Sequence, residues 1–222
     1  MAKRLVPATY ESNVFINCPF DDGYKELFDA AVFAIFDCGF IARCALEEAD
    51  SGGVRIEKIF NIIRECKYGI HDISRTELDP KHSLPRFNMP LELGMFLGAR
   101  HYGSGFQKEK GCIIFDREHF RYQKFISDIA GQDIIAHEDE KELVIKETRN
   151  WLNGPPPGKN LPGGDHIIER YNMFSQELPE ICKKLHLQPT KLTFTDLCTV
   201  IRAWLGQHSR ESPAAAGLST GS

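Results

Sequence analysis

The sequence predicts an α/β fold with a parallel sheet, on three observations. Between residues 13 and 152, short apolar runs alternate about five times with longer segments of helical spacing, which is typical of a parallel sheet covered on both faces. Of the 222 residues, 42% are apolar and 26% charged, as in a globular protein with one sizeable core. Glycine and proline mark segment boundaries, as Gly39 and Pro90 do.

Five short runs are predicted as strands because each is apolar or β-leaning and is followed by turn residues. They cover 14–18, 40–46, 68–73, 111–115 and 133–136.

The intervening segments are predicted as helices. The first has its apolar side chains on one stripe, between Leu27 and Phe36, and Gly39 stands where a C-cap is expected. Pro90 suits the first turn of the third, where its missing N–H would have no partner in any case. The second is marked by apolar residues between 56 and 63 and is predicted to close at 64–67, and the others are predicted at 117–129 and 138–152.

Four regions follow from this pattern: an α/β domain at 13–152, a linker at 153–164, a helical extension at 165–208 and a disordered tail at 209–222. Three consecutive prolines between glycines exclude a regular element from the linker. The extension contains two amphipathic helices, at 165–187 and 193–205. Two helices are too few for a core of their own, so we expect them to pack on the main domain or on a second subunit.

Charge and cysteine content restrict the partners and the compartment. A net charge of -4 argues against a partner bound through a general basic field, so no nucleic-acid partner is expected. The seven cysteines form no C-x-x-C pair and no zinc spacing, which indicates reduced thiols in the cytoplasm and no metal site. No signal peptide is recognised, and the longest apolar stretch, 30–36, is far below the ~20 residues of a membrane span.

Two carboxylates are the main catalytic candidates. Asp72 ends a predicted parallel strand, and Glu92 is expected in the first turn of the next helix, at the same edge of the sheet. Such a pair suits chemistry at a sugar carbon, and the helix dipole should keep Glu92 ionised by ~0.3–1 kcal/mol. Alternatively, Glu92 is an ordinary first-turn acid and Asp72 caps its loop. Asn88 is a helix N-cap or a substrate contact.

The loop after the first strand is the second candidate, since it reaches the same edge. Phe20 is expected to stack on a base, and Asp21 or Asp22 to bind a ribose hydroxyl. The alternative is that Asp22 caps the helix and Phe20 is a hydrophobic staple. Cys18 is not expected to be a nucleophile because no basic partner is evident.

Phosphate contacts are expected from arginines in two further loops. Arg55 follows the polar loop 47–53, and Ser74 and Arg75 open the long loop 74–88. The sequence lacks a P-loop, a Rossmann fingerprint and a G-x-S-x-G motif. His71 is expected to be a sheet residue rather than a catalyst.

Four segments carry a family resemblance. They are 14–17 with its helix, the loop before 55–59, the strand ending at Asp72-Ile73-Ser74, and Pro90-Leu91-Glu92-Leu93-Gly94. Together they resemble TIR-like domains and nucleoside 2-deoxyribosyltransferases, over residues 14–152. The resemblance implies a flavodoxin-like five-stranded parallel sheet with helices on both faces. The C-terminal helices then form a small appendage.

The resemblance also implies an activity. Glu92 matches the catalytic glutamate of both families, which supports cleavage of the nicotinamide–ribose bond of NAD in TIR enzymes. In deoxyribosyltransferases that glutamate attacks the anomeric carbon, and Asp72 matches the assisting aspartate. The loop 47–55 takes the place of the TIR BB loop. The serine and tryptophan-cysteine run of TIR domains and the glycine-threonine turn of the transferases are both missing, so the chain resembles an intermediate relative.

The leading expectation is therefore cleavage of a nucleotide N-glycosidic bond, most simply NAD hydrolysis or cyclisation. The resemblance places such enzymes among bacterial antiphage-defence effectors and signalling proteins. The nucleotide is then the substrate, and no resident cofactor is expected. We expect a homo-oligomer that forms through the C-terminal helices. The alternatives are base exchange or hydrolysis on deoxynucleosides or their monophosphates, and a nucleotide-sensing or assembly module without turnover.

Overall fold

A computed structural model describes residues 6–47, 52–78, 83–154 and 161–208. It contains one five-stranded sheet in which every neighbouring pair of strands is parallel, in the order β2-β1-β3-β4-β5. This is the flavodoxin-like order, so the predicted fold class is confirmed. The strands are β1 Asn13–Asn17, β2 Ile41–Cys44, β3 Tyr68–Asp72, β4 Gly111–Asp116 and β5 Ile134–Ala136.

Helices cover both faces of the sheet. Side chains alternate between the faces along each strand: Phe15 of β1 packs against α2 and α3, whereas Val14 and Ile16 lie in the larger core with α1 and α4. The helices are α1 Lys25–Asp37, α2 Arg55–Glu65, α3 Asn88–Tyr102, α4 Lys141–Leu152, α5 Gly164–Lys184 and α6 Phe194–Gln207. In the described ranges, no helix is long and apolar enough to cross a membrane.

The two C-terminal helices pack on α1, and α5 also packs on α4. Trp204 of α6 is 2% exposed, and its ring centroid lies 5.8 Å from those of both Phe33 of α1 and Phe174 of α5. The guanidinium of Arg170 lies 3.2 Å from the Asp37 carboxylate. The apolar side chains of α5 and α6 therefore belong to the same core as α1 and the sheet.

The prediction of a helix at 117–129 is wrong. The chain instead forms two short 3₁₀ turns, Arg121–Lys124 and Ser127–Ile129. Phe120 has a φ of 60°, a left-handed conformation that interrupts a right-handed helix. Tyr122 is buried beside Ile114 of β4, so this segment still covers its part of the sheet.

The start of α3 also differs from the prediction. The helix begins at Asn88, two residues before Pro90, and Phe87 is its N-cap. Glu92 is therefore the fifth residue of the helix rather than part of its first turn. The predicted tail at 209–222 lies outside the described residues, as do 48–51 of the polar loop, 79–82 of the long loop and 155–160 of the linker.

Candidate functional site

Buried polar side chains gather at the carboxyl-terminal edge of the sheet. Asn17, Asp72 and Asp116 are the last residues of β1, β3 and β4, and His137 directly follows β5. All four side chains are 2% exposed or less. In the flavodoxin-like order the ligand crevice lies at this edge, between β1 and β3, where the direction in which successive strands are added to the sheet reverses.

Asp72 is completely buried and fully hydrogen-bonded. Its Oδ2 accepts a hydrogen bond of 2.8 Å from the Tyr24 hydroxyl, and its Oδ1 accepts from both the backbone N–H and the hydroxyl of Ser74. The carboxylate thus caps the loop after β3, which was the alternative for this residue. In this geometry Asp72 contacts no ligand directly, and neither does the side chain of Ser74, which is 2% exposed.

His137 adds a fourth group around the Asp72 carboxylate. Its Nδ1 accepts a hydrogen bond of 2.9 Å from the backbone N–H of Asp139, so a neutral ring carries its proton on Nε2. Nε2 lies 3.1 Å from Asp72 Oδ2, at an angle outside hydrogen-bond geometry. Sequence reasoning missed His137 and Tyr24. The available signal for His137 was a polar residue directly after an apolar run.

Asp116 and Arg121 join β4 to the loop after β3. Asp116 Oδ1 lies 2.7 Å from Arg121 Nη2, which also donates to the backbone carbonyls of Ile73 and Ser74. Burial raises the pKa of Asp116, and the nearby Arg121 opposes that rise. Arg121 therefore holds the backbone that follows Asp72. Sequence spacing does not show this role of Arg121, because its side chain contacts a loop that is distant in the sequence.

Glu92 is the second buried carboxylate near this edge, and it differs from Asp72 in having no donor. It is 8% exposed, and no described residue donates a hydrogen bond to its carboxylate. Burial raises its pKa to about 7, against the opposing charge of Arg55 at the start of α2. The helix dipole was expected to keep Glu92 ionised. The helix dipole contributes at most ~1 kcal/mol, which corresponds to less than one pKa unit. The effect of burial on the pKa of Glu92 is therefore the larger one.

Asn17 fixes the first turn of α3 over the end of β1. Its amide Nδ2 donates a hydrogen bond of 2.8 Å to the carbonyl of Met89 and lies 3.1 Å from His71 Nδ1. Burial lowers the pKa of His71 to about 3, so this ring is neutral and accepts at Nδ1. Because Glu92 is one turn beyond Met89, Asn17 and His71 set the position of the carboxylate.

Two of the clefts that border the loop after β1 contain several of the predicted site residues. A cleft of about 570 Å³ opens between this loop and the loops after β3 and β4. Asp21 and Arg75, both predicted, line it, together with Gly23, Glu77, Leu78, Arg86 and Arg117. A smaller pocket of about 210 Å³ lies on the α6 side and is lined by Phe20, Asp22, Phe28, Phe194 and neighbouring residues, including Asp21. Glu92 lines neither of them.

The remaining predicted contacts are spread over these places. Phe20 is 38% exposed and stacks edge-on against Phe28 at 5.5 Å, and Asp22 lies exposed beside it. Asp21 rather than Asp22 holds the start of α1, because its Oδ1 accepts a hydrogen bond from the backbone N–H of Tyr24 at 3.1 Å. The N-cap alternative for Asp22 is therefore wrong.

Asn88 and Arg55 lie near Glu92 rather than in the large cleft. Asn88 is exposed at the first position of α3 and does not serve as the N-cap that the sequence suggested. Arg55 is exposed at the first position of α2 and acts on Glu92 through its charge. The buried Cys18 has a strongly raised pKa, first because of burial and then because of Asp72, which disfavours a thiolate nucleophile.

Comparison of the chain with protein-family models, curated proteins and solved structures gives no match. Within the described ranges, no three His, Cys, Asp or Glu side chains group as metal ligands.

Proposed function

We propose that this protein cleaves the N-glycosidic bond of a nucleotide, with Glu92 as the carboxylate that stabilises the ribosyl cation. The observation that carries the proposal is the state of Glu92: a buried carboxylate beside the crevice edge, with no described hydrogen-bond donor. A carboxylate without protein donors gains more from a developing positive charge than one that already accepts several hydrogen bonds. Asp72, with its three donors, has much less to gain.

NAD is the proposed substrate, by hydrolysis or cyclisation. The bond between the ribose anomeric carbon and nicotinamide breaks, and nicotinamide leaves with the electron pair. Ionised Glu92 stabilises the oxocarbenium ion or attacks its anomeric carbon, and water or the second base then completes the reaction. Asn88 is exposed one turn before Glu92 on the same face of α3, which supports a role for it in orienting the ribose. Phe20 offers an aromatic surface to a base.

A mass-spectrometric assay tests this proposal. Wild-type protein is incubated with NAD, and separately with deoxynucleosides and their monophosphates, alongside Glu92→Gln. Glu57→Gln, on the exposed side of α2, is the matched control. Nicotinamide release by wild type and by Glu57→Gln, with a loss of about 100-fold or more in Glu92→Gln, is the expected result. Equal rates in all three proteins would remove Glu92 from the chemistry.

The same assay separates the other possibilities. Turnover of deoxynucleosides with NAD intact would select a deoxyribosyltransferase-like or hydrolytic activity on those substrates. Binding of a nucleotide with no product from any substrate would select a sensing or assembly module.

A further inference from the structure

The large cleft concentrates positive charge on a protein whose net charge is negative. Three arginines line it, from three different segments: Arg75 after β3, Arg86 just before α3 and Arg117 directly after β4. Asp21 and Glu77 are the only carboxylates among its described lining residues. Three guanidiniums against two carboxylates leave one positive charge in excess.

The arginines retain donors that no described carboxylate uses. Arg117 lies near two carboxylates: its Nη2 is 2.9 Å from Glu77 Oε1 and its Nε is 3.4 Å from Glu118 Oε1. Arg86 Nη1 is 3.8 Å from Asp21 Oδ2, beyond hydrogen-bond distance. Among the described residues, Arg75 has no carboxylate partner, and its Nε is buried without an acceptor. Since each guanidinium carries five N–H donors, the carboxylates of the described residues leave several donors around the cleft for a ligand.

Arg75 is also held in place by its surroundings. Its Nη2 lies so close to the backbone at Gly23 that a Cβ there would approach it to 3.2 Å. Its positive charge acts on the buried Tyr24, lowering a phenol pKa that burial raises. A guanidinium packed against a loop and half-buried loses little freedom on binding an anion, which favours bidentate contacts.

We propose that this cleft binds the phosphate or diphosphate group of the substrate, with Arg75, Arg86 and Arg117 as its ligands. The volume of about 570 Å³ lies within the range of small-molecule sites, and planar guanidiniums match phosphate oxygens. This inference rests on the proposed function and narrows its substrate: the protein selects phosphorylated nucleotides over nucleosides. Of the two arginines that the sequence suggested for phosphate contacts, it retains Arg75 and not Arg55. It adds Arg86 and Arg117, which the sequence did not single out.

Calorimetric titration with inorganic pyrophosphate tests the site without requiring turnover. Wild type binds pyrophosphate, and Arg75→Ala and Arg117→Ala each weaken it about tenfold or more. Arg75→Lys keeps the charge but loses the bidentate contact, so it binds at an intermediate level. Arg64→Ala is the matched control, because Arg64 is exposed in the last turn of α2, at the opposite edge of the sheet. Thermal unfolding of each variant confirms that it folds.

A competition arm addresses selectivity: AMP displaces pyrophosphate and adenosine does not. No pyrophosphate binding, or equal binding by wild type, Arg75→Lys and Arg117→Ala, would overturn the inference. If those results accompany normal NAD turnover, the phosphate site is refuted and the proposed function stands. If pyrophosphate binds as expected while no glycosidic bond is cleaved, the proposed function fails and the anion site remains.

Discussion

The hydroxyl of Tyr24 donates a hydrogen bond of 2.8 Å to Asp72, a residue 48 positions later in the chain. Both side chains are buried at the carboxyl-terminal edge of the sheet. Burial, and then the negative charge of Asp72, keeps the pKa of Tyr24 well above its usual value, so the phenol remains a donor. The bond fastens the loop that separates the two clefts to the end of β3.

Tyr24→Phe should destabilise the protein by about 1–3 kcal/mol, because it removes a donor from a buried carboxylate. The free energy of unfolding in urea measures the change. Tyr102→Phe is the control. Because Tyr102 is 87% exposed, this substitution should hardly change the free energy of unfolding. If both substitutions cost the same, the Tyr24–Asp72 bond contributes nothing to stability.

Glu92→Gln should stabilise the protein at neutral and higher pH. The pKa of Glu92 is about 7 in the folded protein and 4.5 without burial, so the folded state favours its protonated form. The stability that protonated Glu92 contributes to the folded state is fully present below pH 4.5. It is lost as the pH rises through 7, and the total loss is roughly 3 kcal/mol. Glutamine cannot ionise. The free energy of unfolding of the variant, relative to that of wild type, should therefore be larger at pH 8 than at pH 5.

Urea unfolding of both proteins at these two pH values provides the measurement. Glu57→Gln controls for the loss of a surface charge, since Glu57 is exposed. A difference between wild type and Glu92→Gln that does not vary with pH would contradict the raised pKa.

The pH dependence of kcat/KM should report the same group. If ionised Glu92 is required, kcat/KM falls about tenfold per pH unit below about 7. Arg55→Ala should move this limb to higher pH, because the positive charge of Arg55 opposes the raised pKa of Glu92. Lys58→Ala, in the same turn of α2, should leave the limb in place. A limb that Arg55→Ala does not move would show that another group controls it.

Trp204→Ala should cost about 3–5 kcal/mol, since it leaves a large hole between α1 and the C-terminal helices. Far-UV circular dichroism and the fluorescence of the remaining Trp151 should still lose signal together, as one transition, because the helices and the sheet share a core. Leu185→Ala, at a side chain that is 51% exposed, is the control. Two separated transitions would show that the extension unfolds by itself.

The sequence predicted the fold well because strands and helices in this chain differ clearly in apolar spacing. The run at 14–18 and the stripe between Leu27 and Phe36 are local signals, and the structure has β1 and α1 there. At 117–129 the spacing was misleading. Tyr122 and Ile126 lie four residues apart as in a helix, but the left-handed Phe120 and the contacts of Arg121 with the loop after β3 override it.

The site was less predictable because its geometry depends on contacts between distant segments. The sequence places Asp72 and Glu92 near one edge. It does not show that Tyr24 and Ser74 donate hydrogen bonds to the first carboxylate while no described residue donates to the second. It equally does not show that Arg117 reaches the same cleft as Arg75. These facts arise from the order of the strands, which brings β4 beside β3.

The packing of Trp204 against Phe33 joins the C-terminal helices to α1 without the help of the covalent linker. α1 lies between the sheet on one side and α5 and α6 on the other, and it also packs against α4. A peptide bond cut between Gly154 and Leu161 would leave two fragments whose aromatic side chains still complement each other. We expect such a nicked protein to remain assembled, and the separately made fragments to reconstitute it on mixing.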